Sequence, residues 1–177
     1  MIEGGRLIRQ AADRLGIPRP TVLAYFNSVV AWTAYDFETW LAANKTRFLR
    51  NANGTLHVCR QDHLGNILYI PDLSLPEVRA KWVQVVAKTG NALDGVFVDR
   101  GDIPGSPGSS AEIEPVKEAA WRDGHVQLIH ELRVAMPGKL YLLNDHTLAV
   151  TGNLSFPAGF DHEYEHRQYH SDPAAPK

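Results

Sequence analysis

A chain of 177 residues, 44% hydrophobic and 21% charged, holds enough apolar material for one sizeable core and has the composition of an ordinary globular domain. A formal net charge of -2 without a basic cluster argues against a nucleic-acid partner, because that binding rests on Lys and Arg neutralising phosphates. The one cysteine, Cys59, excludes an intramolecular disulfide and a cysteine-built zinc site. No apolar run approaches membrane-spanning length, and the chain opens with Glu3 and Arg6 in place of an apolar signal segment, so no membrane partner is expected. Asn-x-Ser/Thr patterns begin at Asn44, Asn53 and Asn153; they leave secretion open without deciding the compartment.

The chain begins with Leu7, Ile8, Ala11, Ala12 and Leu15 at helical spacing, stopped by Gly16 with Pro18 and Pro20 beyond. Residues 21 to 27 then read as a strand, apolar throughout and closed by Asn27. Trp32, Tyr35 and Trp40 follow in a loop and short helix; aromatics there serve as core, but Trp32, just past a strand end, is also a candidate sugar platform. Turn chemistry at Asn51-Ala52-Asn53-Gly54 and at His63-Leu64-Gly65-Asn66 suggests a hairpin-like excursion. Residues 68 to 71 are then expected as the next core strand, running into Asp72.

Ser74 and Glu77 have capping-box spacing, Pro76 sits in the first turn, and Val78, Trp82, Val85 and Val86 form the buried stripe of a helix closed by Gly90. Asp94-Gly95-Val96-Phe97-Val98-Asp99 follows, a run that reads as a strand buried on both faces. Alternation puts Asp99 on one face with Phe97 and Gly95, and turns Val96 and Val98 toward covering helices. After Asp99 comes a Gly/Pro-rich loop of roughly fifteen residues, a length more often functional than not. Its Arg100-Gly101-Asp102 matches the cell-adhesion tripeptide, which is too short to carry that reading alone. A helix over 115 to 135 is spaced by Val116, Ala120, Gly124, Leu128 and Leu132; residues 139 to 144 form the next strand, and 159 to 163 a last, polar one. Residues 171 to 177 are expected to be a disordered tail after a single domain over 1 to 170.

Each expected strand ends in a group able to bind or ionise: Asn27, Asp72, Asp99, Asn144 and Glu163. Such endings, in a chain alternating helices with apolar strands, point to the carboxyl face of a curved parallel sheet, where α/β barrels carry their chemistry. A closed eight-stranded barrel usually needs at least ~200 residues, so the expected fold class is an α/β barrel of the (β/α)8 type, incomplete, with about strands 2 to 6 present. Strands at 21 to 27, 68 to 71, 94 to 99, 139 to 144 and 159 to 163 should then be parallel neighbours in that order. Val22, Ala24, Trp82, Val85, Phe97, Val98, Leu128, Leu140 and Leu142 should be buried. The open edges of such a sheet predict self-association.

Tyr25-Phe26-Asn27-Ser28, then Phe48-Leu49-Arg50 with Asn53-Gly54, then the run from Asp72 to Trp82, then the run from Asp94 to Asp99 resemble successive blocks of the glycoside-hydrolase-like TIM-barrel proteins. These are related in turn to the endo-polygalactosaminidase and α-amylase-like barrels. The similarity covers residues 3 to 166 in short, degenerate blocks. It implies a nucleophilic carboxylate at Asp99, an acid/base carboxylate at Glu163, and hydrogen-bonding groups at Asn27 and at Asn144 or Asp145. The chain departs from the family by ending soon after Glu163, which puts later subsites in doubt. Asp72, Arg100, Asp102, His146 and His162 complete the expected carbohydrate-binding set.

Glycosidic cleavage fits two carboxylates in different protonation states, one charged beside the anomeric carbon and one delivering a proton to the leaving oxygen. A cation such as Arg100 beside Asp99 would hold it ionised, and crowding by Asp161 and Glu165 would raise Glu163. No cofactor is required. Two other classes compete: a catalytically silent glycan-binding barrel, and a metal-dependent hydrolase using His162, His166 and His170, which at i, i+4 and i+8 would share one helical face. A serine nucleophile at Ser106, Ser109 or Ser110 lacks the strand-turn-helix setting that activates one.

Overall fold

The computed structural model describes residues 1–30, 36–61, 64–99, 113–144 and 162–164. In chain order these form α1 (Ile2–Leu15), β1 (Leu23–Asn27), α2 (Asp36–Ala42), a short 3-10 turn (Lys45–Arg47), β2 (Val58–Gln61), β3 (Ile67–Tyr69), α3 (Pro76–Ala92), β4 (Gly95–Asp99), α4 (Pro115–Ala135), β5 (Leu140–Asn144) and β6 (His162–Tyr164). The main sheet has the order β1-β4-β5-β6, all parallel. Strands β2 and β3 form a separate antiparallel pair. The chain is thus mixed α/β with a parallel sheet and covering helices.

The expected order fails at one place. Residues 67 to 69 do not enter the main sheet: Ile67, Leu68 and Tyr69 pair backward with the Val58–Gln61 strand, and β1 lies directly beside β4, with Asn27 level with Asp99. The physical reason is local. Bridges Phe48↔Pro71 and Arg50↔Leu56 extend the hairpin, and backbone bonds from Leu49 N to Ile70 O (2.9 Å) and from Ile70 N to His57 O (3.3 Å) satisfy the segment inside the excursion. Leu68 and Ile70 are still buried, each 2% exposed, so their apolar signal was correct about burial and misleading about partners.

The helix boundaries follow from chain chemistry. Gly16 takes a left-handed conformation (φ 64°) and closes α1, with Ile17 N donating to Ala12 O, the role for which glycine lacks the steric penalty of a Cβ. At α3 the expected Ser74–Glu77 capping box is absent: the N-cap is Leu75 without a side-chain bond. Asp72 Oδ1 instead accepts from Ser74 N (3.1 Å) and Ser74 Oγ (2.6 Å), shaping the turn before the helix. Pro76 opens the helix as expected, where its missing N–H costs nothing.

Helices α3 and α4 cover one face of the sheet. Ala24, Phe26, Val96, Val98, Tyr141 and Leu143 line that face, each no more than 5% exposed, and meet Val78, Trp82, Val86, Leu128 and Leu132 from the helices. Fully burying a large apolar side chain contributes about 1.5–3 kcal/mol, so this layer dominates the core. Two glycines permit the close approach: a Cβ at Gly95 would lie 2.0 Å from Leu140 O, and one at Gly124 would lie 2.0 Å from Leu73 O. Arg79 ties the helices together, donating to Glu131 Oε1 (3.0 Å).

The opposite face, the one carrying Asp99, is less covered. Tyr25 is 40% and Leu140 37% exposed, while Leu23, Phe97 and Leu142 are half-buried. Burial expected for Leu140, Phe97 and Leu142 is therefore incomplete, because among the described residues no helix layer packs on their side. Val22 and Val85 are likewise partly buried, whereas Ala24, Trp82, Val98 and Leu128 are buried as expected.

Candidate functional site

Asp99 is the last residue of β4, an interior strand, and its position follows from the sequence: an apolar strand carries the chain to the carboxyl edge and stops at a group that prefers solvent or a turn. The half-buried Asp99 receives a hydrogen bond from Tyr25, whose hydroxyl lies 2.5 Å from Asp99 Oδ2. That bond crosses from β1 to β4 diagonally, since Tyr25 is level with Phe97 and Asn27 with Asp99. The rings of Tyr25 and Phe97 lie 5.6 Å apart at 46°. The result is a carboxylate held in orientation beside a tilted aromatic pair, on the face that the described helices leave uncovered, an arrangement suited to a sugar ring, whose C–H faces pack on aromatics while its hydroxyls meet polar groups.

Asn27 is 6% exposed, and its Oδ1 accepts from Val29 N (3.0 Å) and Val30 N (2.7 Å). Its carboxamide thus turns the chain out of β1. Its backbone carbonyl is held by Trp82 Nε1 at 3.2 Å. Ser28 follows: its N–H and its Oγ donate to Asp99 O at 3.1 and 3.4 Å, so the β1–β4 ladder continues past the last paired residues. Asp72 lies outside the main sheet and serves the turn before α3, with its backbone N–H donating to Arg47 O at 2.8 Å.

The parallel register sets the remaining positions by backbone. Val98 is level with Leu143, and Leu143 with Glu163; Asn144 is level with Tyr164. The row of Asp99 is thus continued by Asn144 and Tyr164 at the end of β6, while Glu163 sits one row earlier, in the row of Val98 and Leu143, and His162 one row before that; the register does not put Asp99 and Glu163 in one row. His162 lies in a strand, so the helical spacing that would align it with His166 and His170 does not apply there. Trp32, Arg100, Asp102, Asp145, His146, His166, His170 and the serines at 106, 109 and 110 lie outside the described residues. Among the described residues no group of three or more His, Cys, Asp or Glu is placed to hold a metal ion, and no described helix is long and apolar enough to cross a membrane.

The opposite end of the sheet is braced. A cavity of about 520 Å³ there is lined by Arg9, Arg19, Asp94 and Lys139 among others, but each charge is engaged. Arg9 pairs with Asp94 at 2.8 Å, Arg19 with Asp13 at 2.7 Å, and Lys139 Nζ donates to Asn91 O (2.9 Å) and Leu93 O (2.7 Å). The backbone N–H of Val22 (2.8 Å), then Arg9, hold the Asp94 carboxyl below the usual range. In barrels of parallel strands this amino end serves stability and the carboxyl end chemistry.

Two residues of the carboxyl end escaped the sequence reading. Tyr25 lies within an apolar strand run, and only the β1–β4 adjacency reveals that its hydroxyl reaches Asp99. His125, buried against Ser28 with Nε2 3.0 Å from Oγ, did leave a signal: with Trp121, Leu128 and Leu132 it continues the buried stripe of α4 at helical spacing.

No protein-family model matches the chain, and no curated protein sequence matches it. Solved structures do. The glycoside hydrolase domain of PelA from Pseudomonas aeruginosa superposes with a TM-score of 0.55 at 17% identity, over 85% of this chain and 51% of that one. The α-galactosidase TtGalA from Thermus thermophilus matches with a TM-score of 0.52 at 16% identity, over 78% of this chain and 26% of that one. A GH31 family sulfoquinovosidase from E. rectale gives 0.52 at 17%, over 78% and 21%. The chain spans about half the length of the first of these and about a quarter or less of the other two. These neighbours are glycoside hydrolases, and the likeness is one of fold: the described part of this chain has a glycoside-hydrolase-like α/β architecture.

Proposed function

We propose that this chain carries the catalytic carboxyl end of a glycoside hydrolase acting on O-glycosidic bonds of a poly- or oligosaccharide. The observation that carries the reading is the position of Asp99, at the carboxyl end of an interior parallel strand and oriented by Tyr25, whose ring pairs with that of Phe97. The fold-level likeness to glycoside hydrolases supports the same class without specifying a substrate.

In this reading the Asp99 carboxylate stabilises the developing positive charge at the anomeric carbon, as nucleophile or as ion, and a second carboxyl delivers the proton to the leaving oxygen, the role expected of Glu163, whose backbone lies one row before that of Asp99, level with Leu143. Tyr25 holds the Asp99 carboxylate in one pose, so that orientation is established before substrate arrives. The barrel is taken as the wider architecture, with this sheet as one arc of it. Release of reducing ends from a panel of α- and β-linked polysaccharides tests the class. Cleavage of any member by purified chain supports it; saturable binding of a glycan without cleavage would replace it with a glycan-binding module.

A further inference from the structure

Helix α4 turns a histidine inward where its stripe is otherwise apolar. His125 is 0% exposed and packs against Trp121, with ring centroids 5.3 Å apart; Trp121 is itself fixed by its Nε1 bond to Pro71 O at 2.9 Å. The imidazole Nε2 lies 3.0 Å from Ser28 Oγ, and Ser28, 1% exposed, donates through both N–H and Oγ to the backbone carbonyl of Asp99. A serine hydroxyl has one proton. With that proton directed to Asp99 O, Nε2 of the imidazole is the donor to Oγ, a tautomer assigned from the network. Burying an imidazole costs desolvation that an aliphatic side chain at the same position would avoid, and the partner reached in exchange is the strand end that bears the candidate catalytic carboxylate.

We propose that His125 is a positioning residue: through Ser28 it fixes the backbone of Asp99 and thereby the pose of its carboxylate. The relay is a chain of two hydrogen bonds, Nε2–H to Oγ and the hydroxyl to the Asp99 carbonyl, in which no proton is transferred. It acts alongside Tyr25, which holds the same residue by its side chain, so backbone and carboxylate are fixed from opposite faces of the sheet. The catalytic consequence rests on the glycosidase reading of Asp99; the relay does not.

The test compares His125→Leu, His125→Gln and Ser28→Ala by amide hydrogen exchange and by kinetics on whichever glycan the wild type cleaves. The expected result for His125→Leu is exchange at the Ser28 amide faster by about tenfold, with the Val98 and Leu143 amides unchanged, and kcat down about tenfold at constant KM. Glutamine, whose amide nitrogen reaches the place of Nε2, should restore most of both. Ser28→Ala should reproduce the His125→Leu effects, and the double variant should be no worse than either, because the groups act in series. If His125→Leu does not fold, the Gln and Ala variants decide: retention in the first with loss in the second supports the relay. Unchanged Ser28 exchange, or a loss spread equally over Val98 and Leu143, would overturn it and make His125 a core residue alone. If wild type cleaves nothing, the exchange measurements still decide the relay, and only the glycosidase reading fails.

Discussion

Tyr25 and Asp99 lie on adjacent parallel strands, and the phenol hydroxyl of one meets Oδ2 of the other at 2.5 Å. The contact is diagonal: Tyr25 is level with Phe97, two residues before Asp99, so the ring leans along the strand to reach the carboxylate. The bond fixes the orientation of the carboxyl that ends β4, the group on which the glycosidase proposal rests.

Tyr25→Phe keeps the ring and removes the bond. Because Tyr25 is 40% exposed, the stability cost should be at most about 1 kcal/mol. Turnover should fall by about ten- to a hundredfold as the carboxylate loses its fixed pose. Steady-state kinetics beside thermal melts separate the two effects, and a large fall in melting temperature with unchanged kcat would make the tyrosine structural.

Gly124→Ala tests the contact that seats α4. A Cβ there would lie 2.0 Å from Leu73 O and 2.5 Å from its carbonyl carbon, backbone atoms that cannot step aside. Overpacking of this kind costs about 1–3 kcal/mol, read as a lower urea midpoint. The same change at Gly4, where a Cβ meets nothing within 4 Å, should leave the midpoint unchanged or raised.

Stability should fall on the acid side through Asp94. Its folded pKa is depressed, first by the Val22 N–H and then by Arg9, so its contribution is present above the unfolded Asp value and is lost as pH drops through the folded one. Melting temperature measured from neutral pH downward should decline below about pH 4, less steeply in Asp94→Asn. The contribution is modest because the Asp94 side chain is 38% exposed and screened.

Much of the fold was legible from chain chemistry. The apolar runs of β4 and β5, the stripes of α3 and α4, and the stops at Gly16 and after Ala135 coincide with observed elements. What failed was adjacency. Leu68-Tyr69-Ile70 carries the same apolar signal as a core strand, and periodicity does not distinguish a buried hairpin arm from a sheet member. That one displacement hid the β1–β4 pairing, and with it the Tyr25–Asp99 bond. The strand-end position of Asp99 was readable because it depends only on where an apolar run ends. Asn27 and Asp72 were readable as polar strand-end groups, but their side-chain oxygens turn out to shape turns, a role that local hydrogen-bond geometry alone separates from ligand binding.

The most direct test is the turnover of Asp99→Asn against wild type on a glycan that the wild type cleaves, with melting temperatures measured in parallel. The substitution preserves volume and can still accept the Tyr25 hydroxyl, but an amide neither attacks nor bears the charge. The account predicts turnover lower by about three or more orders of magnitude at an unchanged melting temperature. Full activity in Asp99→Asn, with the fold intact, would contradict it.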